Sequence, residues 1–238
     1  MAPDAIPAAE HQHINQLVDQ YLADMPVFKS FADQLRSLIE LPQLRRLYHS
    51  YLWRLKEPEH LRAKLIRKLN EAKDEGRPFE VSHDNLFARV NDLVGLRVLH
   101  LHTSQFEGIN RVLLDVLAEA QLPVIEGPTA RVWDDEYREY FARIGVATEE
   151  SERMYTSVHY IVQANTRTRR TGEIQVRTLA EELWGEVDHS INYPTPSTKL
   201  ACREQIKVLA RVTSGCTRLV DAIFATSNEG EPPAPAAG

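Results

Sequence analysis

Residues 154–194, MYTSVHYIVQANTRTRRTGEIQVRTLAEELWGEVDHSINYP, restrict the fold more than any other stretch of the chain. Tyr155, Ser157 and His159 fall on one face of an alternating run, and Val158, Tyr160 and Val162 on the other. The alternation resumes with Glu173, Gln175 and Arg177 against Ile174, Val176 and Leu179. Side chains on a strand alternate with period two, so the pattern predicts an antiparallel hairpin closed by the polar turn 165–172. Its polar face gathers an aromatic ring, a hydroxyl, an imidazole, a carboxylate, an amide and a guanidinium. Such groups stack on bases, hold a metal ion and pair with phosphate. An ordinary solvated strand face accounts for the alternation equally well.

Beyond the hairpin, 178–189 predicts a helix with Leu179, Leu183, Val187 and Ile191 as its buried stripe. Glu182, Glu186 and His189 fall on another side, in the manner of half a carboxylate-bridged di-iron site. That chemistry needs a second Glu-x-x-His helix, which the sequence lacks. Tyr193–Pro194–Thr195–Pro196 breaks the helix, and a last one is expected over 197–225.

Upstream, 11–50 shows helical spacing (Ile14, Leu17, Val18, Tyr21; then Phe31, Leu35, Leu38, Ile39), punctuated by Pro26 and Pro42. These helices are expected to cap a sheet. Arg54 and Lys56 point the same way if their segment is extended. Pro58 suits the first turn of a helix that ends near Gly76, with Leu61, Leu65 and Leu69 inward and Lys64, Arg67 and Lys68 on one basic face. That face reads more readily as solvated than as functional. The run 91–102, NDLVGLRVLHLH, reads as a buried strand in which Asp92 and Arg97 flank Gly95 and need partners or a ligand. His100 and His102 lack a third matching ligand and read as structural or half-exposed rather than metal-binding. A helix over 106–120, a short strand at 123–125, a short acidic helix after Trp133 and an exposed, mobile loop at 145–153 complete the region. Strand, helix, strand and hairpin together predict a mixed α/β layer fold.

The 238 residues suffice for one substantial core with a helical annex. No apolar run is long enough to span a bilayer, and the N-terminus lacks a basic-then-apolar signal, so no membrane association is expected. Cys202 and Cys216 lie too far apart on one predicted helix to bridge, which points to a reducing cytoplasm. A net charge of −6 argues against wholesale coating of nucleic acid while leaving local basic patches open. The expected organisation is a disordered 1–10, helices over 11–50, a central domain over 51–194, a C-terminal helix over 195–227 and a disordered 228–238.

Four segments in register resemble the synthetase domain of the RelA/SpoT family, the (p)ppGpp or alarmone synthetases, in its small single-domain form. They are Arg54-x-Lys56 with Lys64 and Arg67; Asp92-Leu-Val-Gly-Leu-Arg97; Tyr155-Thr-Ser-Val-His159; and Glu173-Ile-Gln-Val-Arg-Thr178, followed by the helix with Trp184 and His189. The resemblance implies an α/β (α+β) nucleotidyltransferase-like domain with a mixed β-sheet and flanking terminal helices. It implies transfer of the pyrophosphoryl group of ATP to the 3′-hydroxyl of GDP or GTP, with Mg²⁺ as cofactor and AMP released. Arg54 and Arg97 would sandwich the adenine, and Lys56, Lys64 and Arg67 would hold the ATP phosphates. Asp92 and Glu173 would be the catalytic acids, Asp92 binding magnesium and Glu173 serving either as a second metal ligand or as the base that activates the hydroxyl. Tyr155 would stack on the acceptor base, His159 would lie on acceptor phosphate, and Gln175 and Arg177 share that acceptor-side face.

The chain departs from the family pattern before Tyr155. Members have a Lys-Pro-x-x-Gly approach to the tyrosine and a basic residue after it; here Glu149–Met154 and Thr156 stand in those places. Three readings follow, in order: an alarmone synthetase with an unusual acceptor loop, a relative that pyrophosphorylates the 3′ end of tRNA, and a non-catalytic nucleotide sensor. For the second, Arg167, Arg169 and Arg170 offer a phosphate-binding patch, which a solvated turn explains as well. Homo-oligomers through the terminal helices are a further expectation, and packing of the last helix on its own core is the alternative.

Overall fold

The computed structural model describes residues 7–192 and 197–228. The expected break at 193–196, residues 1–6 of the predicted disordered N-terminus and nearly all of the predicted disordered tail lie outside the described residues. Among the described residues no helix is long and apolar enough to cross a membrane.

Six strands form one mixed sheet in the order β1-β2-β6-β5-β3-β4. They are β1 Ser50–Leu55, β2 Val94–His100, β3 Val124–Val132, β4 Ala147–Glu150, β5 Ser157–Gln163 and β6 Thr171–Thr178. The hairpin is present, with β5 and β6 antiparallel and His159 opposite Gln175. β2 runs parallel to β6, placing Gly95 beside Glu173 and Arg97 beside Gln175, while β1 adds antiparallel with Arg54 beside Gly95. Two rows therefore cross the sheet on one face: Arg54–Gly95–Glu173–Ile161, and Leu52–Arg97–Gln175–His159.

The opposite face is apolar. Val94, Leu96, Val98, Val158, Tyr160, Val162, Ile174 and Val176 are all buried there in the main core. The helix α1 Ala8–Ile39 packs on β1 and β2 and on α3 Pro58–Asp74, whose buried residues include Leu61, Leu65 and Leu69. Between α1 and β1 lies the single turn α2 Pro42–Arg45; α4 Leu86–Arg89 precedes β2, and α5 Gln105–Glu119 joins β2 to β3. His100 is buried at the end of β2 and bonded through Nδ1 to the His102 carbonyl at 3.0 Å. Burial pushes its pKa down to about 4.

Four expectations need correction. Pro26 does not interrupt α1, and the helix starts at Ala8, so the predicted disorder does not reach 8–10. Pro26 faces outward, where water can take the carbonyl that loses its partner, and buried Tyr21 and Phe28 carry the packing past it. β3 has nine residues rather than three: Gly127–Pro128 produces a register irregularity, not an end. There Gly127 has φ +90, and a Cβ would sit 2.3 Å from the His159 carbonyl oxygen, so only glycine fits. The loop expected at 145–153 contains β4, which pairs parallel with β3 and sets Glu149 beside Arg131.

The fourth concerns α7 Leu179–Asn192. Leu183 and Ile191 of its expected buried stripe are 57% and 42% exposed, and the residues turned inward are Glu181, Glu182 and Trp184. The helix lies against arginines of the sheet rather than against an apolar face. After α6 Asp135–Arg143, capped by Asp134 accepting from the Tyr137 N–H at 3.0 Å, the last element is α8 Leu200–Asn228. It packs on α7 through Ile206 and Ala210, and Cys202 and Cys216 on it are free thiols.

Candidate active site

The polar face of the sheet forms the floor of two adjoining clefts. One, of 310 Å³, lies between Trp53 and Arg54 of β1 and Arg97 of β2. The other, of 520 Å³, is bounded by Lys64 and Arg67 of α3, Tyr155 and His159 of the hairpin, and Trp184 of α7. Asp92, Arg97, Glu173, Gln175 and His189 line both. The larger cleft carries seven Lys or Arg against four Asp or Glu, so a chain of net charge −6 holds a locally positive site suited to polyphosphate.

Asp92 is fixed by two ammonium groups. Lys56 Nζ donates to its Oδ2 and Lys64 Nζ to its Oδ1, each at 2.7 Å. Burial raises the pKa of this carboxyl, but Lys64 and Lys56 outweigh it and hold the group well below the usual carboxylate range. Lys56 is itself 5% exposed; burial lowers its pKa, and Asp92 opposes that.

Glu173 is held by its neighbours on the strands. His159 Nδ1 lies 2.7 Å from Oε1, and Gln175 Nε2 donates to Oε2 at 2.9 Å. Burial pushes this carboxyl up, and the bond to His159 pulls it further down, so it is ionised at neutral pH. Arg97 donates to Glu182 at 3.0 Å and also to Glu186, and Glu182 pairs with Arg177 as well. Glu182 and Glu186, compared above with His189 to one half of a di-iron site, are therefore engaged with arginines. Gly185 makes room for this: a Cβ there would lie 2.7 Å from Arg177 Nη1.

Tyr155 lies parallel to the Trp184 indole, with ring centres 5.7 Å apart and 17° between planes. Arg131 of β3 donates to its hydroxyl at 3.3 Å, and His159 is 6.3 Å away, ring centre to ring centre. Trp184 is anchored by its Nε1–H, which donates to the Ile206 carbonyl at 3.1 Å.

Every sequence-predicted site residue except Lys56 lines one of the two clefts: Arg54 the smaller, Arg97, Asp92, Glu173 and Gln175 both, and Lys64, Arg67, Tyr155, His159 and Arg177 the larger. Lys56 stands behind Asp92. Arg170 of the hairpin turn is bonded to Asp24 at 2.7 Å, with its guanidinium 6.0 Å and 5.8 Å from the rings of Phe28 and Phe87, so it serves the core. Sequence reasoning missed Arg131, Arg153, Glu181 and Gly185. Arg131 was hidden by the Gly127–Pro128 irregularity; for the α7 residues, the glutamate pair 181–182 opposite two strand arginines was the available signal.

Asp92 and Glu173 fit a magnesium ion held mainly by substrate. Among the described residues no group of three or more His, Cys, Asp and Glu could hold a metal. Two carboxylates at the junction of the clefts match Mg²⁺, which takes one or two carboxylates together with substrate phosphate oxygens.

A family model described as the region found in RelA / SpoT proteins matches residues 53–198, well over half of the chain. A search of curated proteins finds no match. Among solved structures, the small alarmone synthetase 1 of Bacillus subtilis bound to its product pppGpp is 20% identical over 90% of this chain and 96% of its own, with a TM-score of 0.54. The same protein bound to AMPCPP is 15% identical over 91% and 100%, TM-score 0.57. A GTP pyrophosphokinase family protein from Streptococcus pneumoniae is 19% identical over 92% and 98%, TM-score 0.59. At such identities these structures establish the shared fold, a mixed sheet with flanking helices, and the family match carries the assignment: the chain belongs to the RelA/SpoT family.

Proposed function

We propose that this chain is an ATP-dependent pyrophosphokinase that makes (p)ppGpp from GDP or GTP. The observation that carries this reading is the pair of clefts meeting at Asp92 and Glu173, one flanked by Arg54 and Arg97, the other by Tyr155. Guanidinium planes above and below a base suit adenine in the smaller cleft. An acceptor base stacks on the face of Tyr155 away from Trp184, with His159, Arg177 and Arg131 toward its phosphates.

In the reaction the acceptor 3′ oxygen bonds to the β-phosphorus of ATP as the bond from that phosphorus to the α,β-bridging oxygen breaks. AMP leaves with the bridging oxygen, and the hydroxyl proton passes to the Glu173 carboxylate. Little covalent chemistry is asked of the protein; positioning and charge neutralisation dominate. Lys64 and Arg67 of the larger cleft meet the phosphates, and Lys56, buried behind Asp92, adds positive charge from there. Asp92 and Glu173, with substrate phosphate oxygens, would hold Mg²⁺, which would supply charge neutralisation. The outward Val208, Val212, Leu219 and Ile223 of α8 suit self-association through the terminal helices, which sedimentation would test.

The deciding experiment is AMP release from ATP and Mg²⁺ with GDP, GTP or deacylated tRNA supplied separately. AMP with a guanine nucleotide, lost in Glu173→Gln, is the expected result. AMP with tRNA alone, or none with any acceptor, would overturn it.

A further inference from the structure

The backbone that presents Tyr155 is held in an unusual way. Met154 has φ +62, a left-handed conformation that a non-glycine residue keeps only when its surroundings impose it. Three successive N–H groups are tied down. Met154 N–H donates to the Ser151 carbonyl at 3.0 Å, Tyr155 N–H to Ser151 Oγ at 3.3 Å, and Thr156 N–H to Glu181 Oε2 at 3.1 Å. Glu181 is 2% exposed, and it shares α7 with Trp184, on which Tyr155 stacks. One helix thus grips the Tyr155 segment twice, by ring and by carboxylate.

Glu181 Oε1 has no protein partner, and neither have Thr156 Oγ1 and Ser157 Oγ, all buried. Their residues line one cavity of 20 Å³, together with Arg177, which also lines the larger cleft. Buried polar atoms require partners, and a cavity of this size and polarity accepts one water.

We propose that Glu181, with one bound water, is a positioning residue for the acceptor: it fixes the Tyr155–Thr156 backbone on α7, so that binding of the acceptor, and not of ATP, depends on it. The naming of the acceptor as a guanine nucleotide rests on the function proposed above. Thr156 has no charge to offer an acceptor, and what Glu181 holds at this position is its backbone N–H.

Burial pushes Glu181 up to about 7, and the bond from Thr156 lowers it in part. The charged and titratable groups around it are Arg177 from β6, Asp134 and Tyr137 at the start of α6 and His100 from β2, with Arg218 and Asp221 of α8 one contact further out. Asp134 is paired with Arg218 at 3.0 Å, and Asp221 accepts from Thr103. His100 is neutral above pH 5 and Tyr137 is held neutral by burial. Ionising Glu181 sets a negative charge beside Arg177 and weakens the positive field on a polyanionic acceptor. Acceptor affinity therefore falls as pH rises through about 7.

The test compares the full chain with E181Q, which keeps an oxygen for Thr156 N–H without titrating, and E181M, which leaves that N–H unpaired. KM for GDP should rise about tenfold in E181M, the effect of a buried donor left unpaired, with KM for ATP unchanged. The ratio of wild-type to E181Q KM for GDP should grow several-fold from pH 6 to pH 8. A second readout needs no acceptor: Trp184 fluorescence, isolated in a W53F/W133F background, should titrate near pH 7 and lose that transition on adding E181Q. An E181M protein with wild-type KM for GDP, or a Trp184 transition that survives E181Q, would overturn the proposal. Absence of AMP release with every nucleotide would instead overturn the function, while the Trp184 titration still reports on Glu181.

Discussion

Replacing Asp92 by Asn separates its structural load from its chemical one. The carboxylate neutralises Lys56 and Lys64 at once, and the Lys56 side chain is only 5% exposed. An amide oxygen can accept from one ammonium, leaving the other against the amide N–H₂. Neutralising one partner of a buried pair costs about 3–5 kcal/mol. Because the side chains of Asp92 and Lys64 are 23% and 20% exposed, water relieves part of this, and the lower end, about 3 kcal/mol, applies. Urea denaturation followed by circular dichroism measures it. Adding K56M removes the stranded charge and should return about 2 kcal/mol while AMP release stays absent. The pH dependence has a fixed sign: a carboxyl whose folded pKa is depressed stabilises above its unfolded value of 3.8, so the gap between wild type and D92N narrows as pH falls below that value. A D92N protein within 1 kcal/mol of wild type, or a double variant no more stable than D92N, would refute this account.

Other outcomes follow from the same geometry. For Glu181 the folded pKa is raised from 4.5 to about 7, so its cost is absent below the unfolded value and complete above the folded one. At about 1.4 kcal/mol per pKa unit, E181Q should stabilise the protein by roughly 3 kcal/mol near pH 8.5 and by almost nothing near pH 4.5, as read by paired urea titrations. Trp184→Ala removes the platform beneath Tyr155; it should cost about 3 kcal/mol of stability and raise KM for GDP far more than KM for ATP. Gly185→Ala should gain up to about 1 kcal/mol of helix propensity yet displace the Arg177 guanidinium, so steady-state kinetics should show a weakened acceptor in a protein that melts no earlier.

The parts of the fold written in the sequence are those with one wet and one dry face. β5 and β6 alternate cleanly because the sheet sends Tyr160 and Ile174 into the core on one side and turns His159, Glu173 and Gln175 toward a cleft on the other. α3 shows its Leu61, Leu65 and Leu69 stripe for the same reason. α7 inverts the rule: its inner surface meets Arg97 and Arg177, so glutamates go in and Leu183 goes out. Hydrophobic periodicity cannot signal a face stabilised by ion pairs. β3 and β4 were obscured by Gly127–Pro128 and by a run of acids that pairs at an edge. The expected site residues share one face because their strands pair in a register that no local pattern contains.

That register ties activity to the slowest kind of contact the chain makes. Asp92 precedes β2 and Glu173 lies on β6, and these strands, about eighty residues apart in sequence, are parallel neighbours. Helices such as α1 and α3 can form early from local interactions, but parallel pairing across so long an excursion must first close the intervening loop. After dilution from denaturant, helical ellipticity should therefore return before AMP release does. A partly folded chain of this kind would carry its helices without the joined clefts, so that the proposed activity begins only once the whole sheet is in place.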